Sequence, residues 1–167
     1  MSRWLKSLSV LVVFAGLAML AGGCGGGKGT PEAAFETFKN AMVNEDFGAA
    51  WDCLSKNAQT GMDGMFKMIE GMGAASADDF KKEFDCTPEE FGKLSAREKF
   101  IKMGKSQTKK ETDPAAKQKE KDEIKSAKVT NTKIEGDKAT LTIKTGDKED
   151  TMSLVKEGNE WKFESFK

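Results

Sequence analysis

Four methionines, Met62, Met65, Met68 and Met72, fall within eleven residues and are the densest run of soft ligands in the chain. Thioether sulfur suits Cu(I). At about 100° per residue the four share one helical arc with Phe66 and Ile69, which is also what the buried side of an amphipathic helix needs. Methionine packs adaptably into such a side, so packing is the first reading and a Cu(I) site the weaker alternative. Gly61, Gly64, Gly71 and Gly73 interrupt the same stretch, and each lowers helix stability by up to ~1 kcal/mol. The chain holds no histidine and no tyrosine. It therefore lacks the commonest general base and the commonest metal ligand, and Ser-His-Asp and Cys-His nucleophilic sites are excluded. Asp52, Asp63 and Asp85 are carboxylates that a lone-acid enzyme would use, and no spacing singles one out. No catalytic residue is assigned and no cofactor is expected.

Charge narrows the classes further. The 167 residues carry 27 basic and 27 acidic side chains. A net charge of zero argues against a nucleic-acid binder, which must neutralise phosphates. The length suits one domain.

The first residues read as an address. Arg3 and Lys6 precede an apolar run, Leu8 to Leu20, and the small residues Ala21, Gly22 and Gly23 follow. This is the three-part layout of a secretory signal over residues 1–23. The run is about 13 residues, short of the ~20 that span a bilayer. Leu20-Ala21-Gly22-Gly23-Cys24 resembles the lipobox of bacterial lipoproteins, with Ala21 where that family favours leucine. The resemblance implies a diacylglyceryl group on the Cys24 sulfur, palmitate among its chains, and cleavage that leaves Cys24 as the first residue. Gly25 after Cys24, where aspartate would signal inner-membrane retention, implies an outer-membrane protein facing the periplasm. Two acyl chains anchor stably. Loss of residues 1–23 leaves 25 basic and 27 acidic groups, a net of −2. Residues 24–29 then form a lipidated cysteine and a glycine-rich tether. Five such residues span only ~11 to 13 Å, which keeps the domain near the membrane. In that oxidising compartment Cys53 and Cys86 form an even pair and a disulfide candidate. The bond would close a loop of ~33 residues and contribute about 3 to 4 kcal/mol. Two buried thiols are the alternative.

The rest, residues 30–167, reads as one α+β domain, with helices first and a four-stranded antiparallel meander last. Thr30-Pro31-Glu32 starts a helix bearing Phe35, Phe38, Ala41 and Met42. Asp46 caps a second, with Phe47, Ala50, Trp51 and Leu54 on one stripe. Helices are also predicted over 55–73, after Ser76, and after the capping boxes at Thr87 and Ser95. Residues 105–123 hold six lysines and five acids with no large apolar side chain. They read as a charged connector, either exposed and unstructured or a solvated helix capped at Asp113-Pro114. Strands are predicted over 124–135, 138–145, 149–157 and 160–166, separated by Gly136-Asp137, Gly146-Asp147 and Gly158-Asn159.

Two stretches carry a further likeness. Residues 29–38 and 44–51 place a proline-capped helix before an acidic turn and a second helix. Gly136-Asp137-Lys138-Ala139 and Lys156-Glu157-Gly158-Asn159-Glu160-Trp161-Lys162 recur in kind among terminal strands. Together they resemble small bacterial lipoproteins of the nuclear-transport-factor-2-like superfamily, with its cystatin-like or ketosteroid-isomerase-like domain. The resemblance implies a curved sheet wrapped around the first helix, often with a conical pocket. Phe38, Trp51, Trp161 and Phe163 are candidates to line such a pocket, with core packing as the plain alternative. The enzymes of that group use Asp, His and Tyr, and two of those types are missing here. A non-catalytic envelope protein is expected, binding a small apolar ligand or a protein partner, with a homodimer in view. The alternatives are an isomerase or dehydratase with a buried carboxylate, and the Cu(I) protein.

Overall fold

A computed structural model describes residues 29–73, 76–110 and 113–166. The signal stretch, the Cys24 lipidation site and nearly all of the tether lie outside the described residues, as does the Met72 side chain.

Caps set the helix starts. The Thr30 hydroxyl accepts the Ala33 N–H at 3.2 Å and begins α1, Pro31–Val43. A turn through Glu45, at φ 56°, delivers Asp46. Its carboxylate accepts the Ala49 N–H at 2.9 Å and begins α2, Phe47–Asp52. The Ser55 hydroxyl accepts the Ala58 N–H at 3.0 Å at the head of α3, Lys56–Gly73. α4, Ala77–Phe84, ends at left-handed Asp85. Thr87 and Glu90 form a reciprocal capping box for α5, Pro88–Gly92. Ser95 and Glu98 exchange the same pair of bonds before α6, Ala96–Lys110. Asp113 caps α7, Pro114–Ser126, through the Ala115 N–H. Each side chain replaces a backbone partner that the first helical turn lacks.

The expected charged connector is thus two helix segments. Residues 105–110 complete α6, and 114–126 form α7. Alanine, lysine, glutamate and glutamine have high helix propensity, and α7 is pinned by buried Ile124 and by a Lys121–Glu45 ion pair at 2.7 Å. Ile124, expected to open the first strand, lies in the last turns of that helix. The strand starts only after Ala127.

Four strands follow among the described residues: β1 Lys128–Glu135, β2 Lys138–Thr145, β3 Lys148–Glu157 and β4 Glu160–Phe166. They pair antiparallel in sequence order. Gly136, Gly146 and Gly158 take φ near +60° at the first of two turn positions, where a two-residue hairpin of the II′ kind demands glycine. Register puts Ala139 opposite Leu154 and Leu141 opposite Met152, and Leu154 opposite Phe163. These side chains and Ile143 are buried beneath the helices, while Thr140 on the other face of β2 is exposed. The fold is α+β, with helices packed on one face of the meander.

The sheet edges are treated differently. Residues 53–55 run parallel to β4: the Ser55 N–H donates to the Phe163 carbonyl at 2.8 Å, and the Phe163 N–H donates to the Cys53 carbonyl at 2.9 Å. β1 lies at the opposite edge, with a bulge between Val129 and Asn131 and lysines at 128 and 133. A bulge and charge are common defences of an open edge.

Candidate functional site

The four residues expected to line a pocket sit in the core. Phe38 stacks on Phe163 with ring centroids 4.9 Å apart, and Trp51 packs on Phe100 at 5.4 Å. Phe163 is fully buried, and Phe38, Trp51 and Trp161 nearly so. Side chains of α1 and β4 thus fill the space between helix and sheet that a conical pocket would occupy. A second aromatic group, Phe66, Phe80, Phe84 and Phe91, closes the helical layer, with Phe80 and Phe84 centroids 4.6 Å apart.

The methionines do not share one environment. Met62 and Met65 are half-buried against the core, whereas Met68 is 62% exposed. Fully buried Phe66 takes the centre of the inward face of α3. Packing accounts for Met62 and Met65, whereas Met68 lies mostly in solvent. No group of three or more acidic, cysteine or histidine side chains is arranged for a metal among the described residues.

Cys53 and Cys86 are both buried core residues and no disulfide joins them in the structure. Cys53 lies at the end of α2, in the link that pairs with β4. Cys86 lies between α4 and α5. Burial raises the Cys86 thiol pKa, partly offset by the nearby Lys102 ammonium.

Among the described residues, the helical side carries a small gap and a larger cleft. A gap of about 40 Å³ lies between α1, α6 and α7, lined in part by Met42, Phe47, Gly104 and Ile124. It has room for water and not for a drug-sized ligand. A cleft of about 450 Å³ opens between the C-terminal end of α4 and the second half of α6.

The walls of the larger cleft are unlike the rest of the chain. Lys102, Lys105, Ser106, Lys109 and Lys110 come from α6, and Lys82, Glu83, Phe84 and Asp85 from α4 and its end. The α6 residues are three, four, seven and eight apart, which puts them on one helix face. The Ser106 hydroxyl donates to the Glu83 carbonyl and the Lys110 ammonium pairs with the Glu83 carboxylate. These two contacts fasten the helices together. Lys109 lies 3.4 Å from the Asp85 carboxylate, and Lys102 donates to the Asp85 carbonyl at 3.3 Å. Partial burial lowers the Lys110 pKa. Lys105 is exposed and has no carboxylate partner among the described residues.

The sequence reading missed this cleft because it treated residues 105–123 as one mixed-charge stretch. The readable signal was the acid-free run from 102 to 110, with lysines at helical spacing.

The displaced carboxylates bear on acid–base chemistry. Glu32 is lowered chiefly by a hydrogen bond from Thr132. Asp63 and Glu135 are lowered chiefly by hydrogen bonds from lysines, and Glu90 and Glu98 by their capping boxes. A general acid at neutral pH needs the opposite shift. No helix among the described residues is long and apolar enough to cross a membrane.

No family model, no curated protein and no solved structure matches the chain. The likeness to nuclear-transport-factor-2-like lipoproteins therefore rests on the motifs quoted above.

Proposed function

We propose that the protein is a lipid-anchored component of the bacterial cell envelope that binds a partner through its surface and performs no covalent chemistry. The observation that carries the surface reading is the filled helix–sheet interface, where Phe38, Trp51, Trp161 and Phe163 pack within the core. A small apolar ligand would have to displace these rings, at a cost of several kcal/mol per vacated aromatic site. The lipobox-like Leu20–Cys24 stretch and the glycines after it support the anchor, on the periplasmic face of the outer membrane. A second copy of the chain and another envelope protein are both candidate partners.

Two measurements test this reading. Cells fed radiolabelled palmitate should label the wild-type chain and not Cys24→Ser, and the variant should leave the membrane fraction. Native mass spectrometry of the purified protein should show no apolar small molecule held inside the domain. Equal labelling of the two chains sinks the anchor, and a stoichiometric apolar adduct sinks the surface reading.

A further inference from the structure

We infer that the cleft between α4 and α6 is an anion site that takes a phosphate-bearing group, held by Lys82, Lys102, Lys105 and Lys109. This rests on the surface-binding reading and names the chemistry its surface would recognise.

The chain as a whole is neutral, so its overall field does not collect anions. The cleft gathers five lysines against two carboxylates, those of Glu83 and Asp85. In α7, by contrast, Lys117, Lys119, Lys121 and Lys125 are interleaved with Glu120, Asp122 and Glu123. From 102 to 110 no acid intervenes. Lysines in a last helical turn also complement the helix dipole, an effect confined to that turn. It covers Lys109 and Lys110, and it does not reach Lys102 or Lys105.

Lys110 is committed to Glu83, and Ser106 to the Glu83 carbonyl, so these contacts build the floor. Lys105 is left without a carboxylate among the described residues, and Lys82 and Lys109 hold exposed carboxylates at 3.6 and 3.4 Å. Such loose, solvated pairs contribute little and are readily exchanged for a stronger acceptor. Lysine ammonium groups from the two walls of a concave site, α4 and α6, suit the oxygens of a phosphate, which accept several charge-assisted hydrogen bonds at once. At about 450 Å³ the cleft has room for a diphosphate or a phosphodiester headgroup.

The test uses the full chain in a neutral detergent, titrated calorimetrically with sodium pyrophosphate and, separately, with dihexanoyl-phosphatidylglycerol against its choline analogue. Saturable binding that weakens as salt rises is expected with at least one phosphate probe. The charge reversals K105E and K109E together should weaken it by about tenfold or more. D85G should strengthen it severalfold, because it removes a competing carboxylate at a left-handed position that glycine adopts without strain. A gain of affinity cannot come from misfolding. Saturation by pyrophosphate alone identifies a soluble phosphate compound. Saturation by the glycerol headgroup and not the choline one identifies an anionic lipid. Absence of binding by every probe, or equal affinity in the wild type, K105E/K109E and D85G, overturns the inference. Palmitate labelling at Cys24 is unaffected by either result, so failure here is separable from failure of the anchor.

Discussion

Lys99 on α6 places its ammonium 2.5 Å from a carboxylate oxygen of Glu70 on α3, in a site where only 6% of the lysine side chain and 25% of the glutamate side chain is exposed. The same ammonium lies 5.7 Å from the centroid of the Phe91 ring. The pair ties α6 to α3. Removing one partner of a buried pair strands the other charge. The two deletions should differ, because Glu70 reaches water and Lys99 does not. Glu70→Leu should cost about 3 kcal/mol and Lys99→Met about half that. The double variant should recover most of the loss, as read by urea unfolding. Additive costs in the double variant would refute a coupled pair.

The glycines of α3 divide into two kinds. A Cβ at Gly61 or Gly64 meets nothing within 4 Å, whereas at Gly73 it would collide with the Phe80 ring. Gly61→Ala and Gly64→Ala should each stabilise by about 0.5 to 1 kcal/mol through helix propensity. Gly73→Ala should destabilise, since the Phe80 ring is itself packed on Phe84 and Phe91. Thermal midpoints that moved the same way in all three would contradict the packing.

Glu32 at the start of α1 accepts a hydrogen bond from the Thr132 hydroxyl on β1, which holds its pKa below the usual range. A lowered folded-state pKa contributes stability that is present above the unfolded value, about 4.3. That contribution is lost as pH falls through the folded pKa. Thr132→Val keeps a β-branched residue in the strand and removes the donor. The variant should be less stable than wild type near pH 7, with the difference shrinking toward pH 3. A difference independent of pH would show that the hydroxyl acts elsewhere.

Cys53 and Cys86 are buried and not bonded to each other. Alkylation at about pH 8 without reductant, followed by peptide mapping, should leave both unmodified in the folded protein. Both should be modified once the chain is unfolded. Burial that raises the Cys86 pKa slows its reaction further, since the thiolate is the nucleophile. Resistance to alkylation in denaturant without reductant would restore the disulfide.

Most of the helix starts were legible because capping is local. Thr30, Asp46, Thr87, Ser95 and Asp113 each sit within three residues of the N–H they satisfy. The hairpins were legible for the same reason, through glycines that must take positive φ. Ile124 was misread because one apolar residue among charges fits a strand edge and a helix face equally well until its partners are known. Pairings of distant residues were not legible: Glu70 with Lys99, and Ser55 and Asn57 with the Glu164 carboxylate. The lysine cleft needed the approach of α4 to α6. Lys102 to Lys110 show their helical spacing in the sequence, but nothing there says that Lys82 and Asp85 stand opposite.

The short parallel pairing of Leu54 with Phe163 has a consequence for assembly in time. It is the seam by which the helical half takes hold of the final strand, and it joins residues more than a hundred positions apart. Synthesis delivers the helices before β4. Until Phe163 emerges, the 53–55 segment has no backbone partner on that side, and the Phe38 ring lacks the ring it packs on. Contacts this far apart in sequence slow folding, and unfinished apolar surface invites aggregation. A nascent chain that has not yet made β4 therefore carries apolar surface that the folded domain covers.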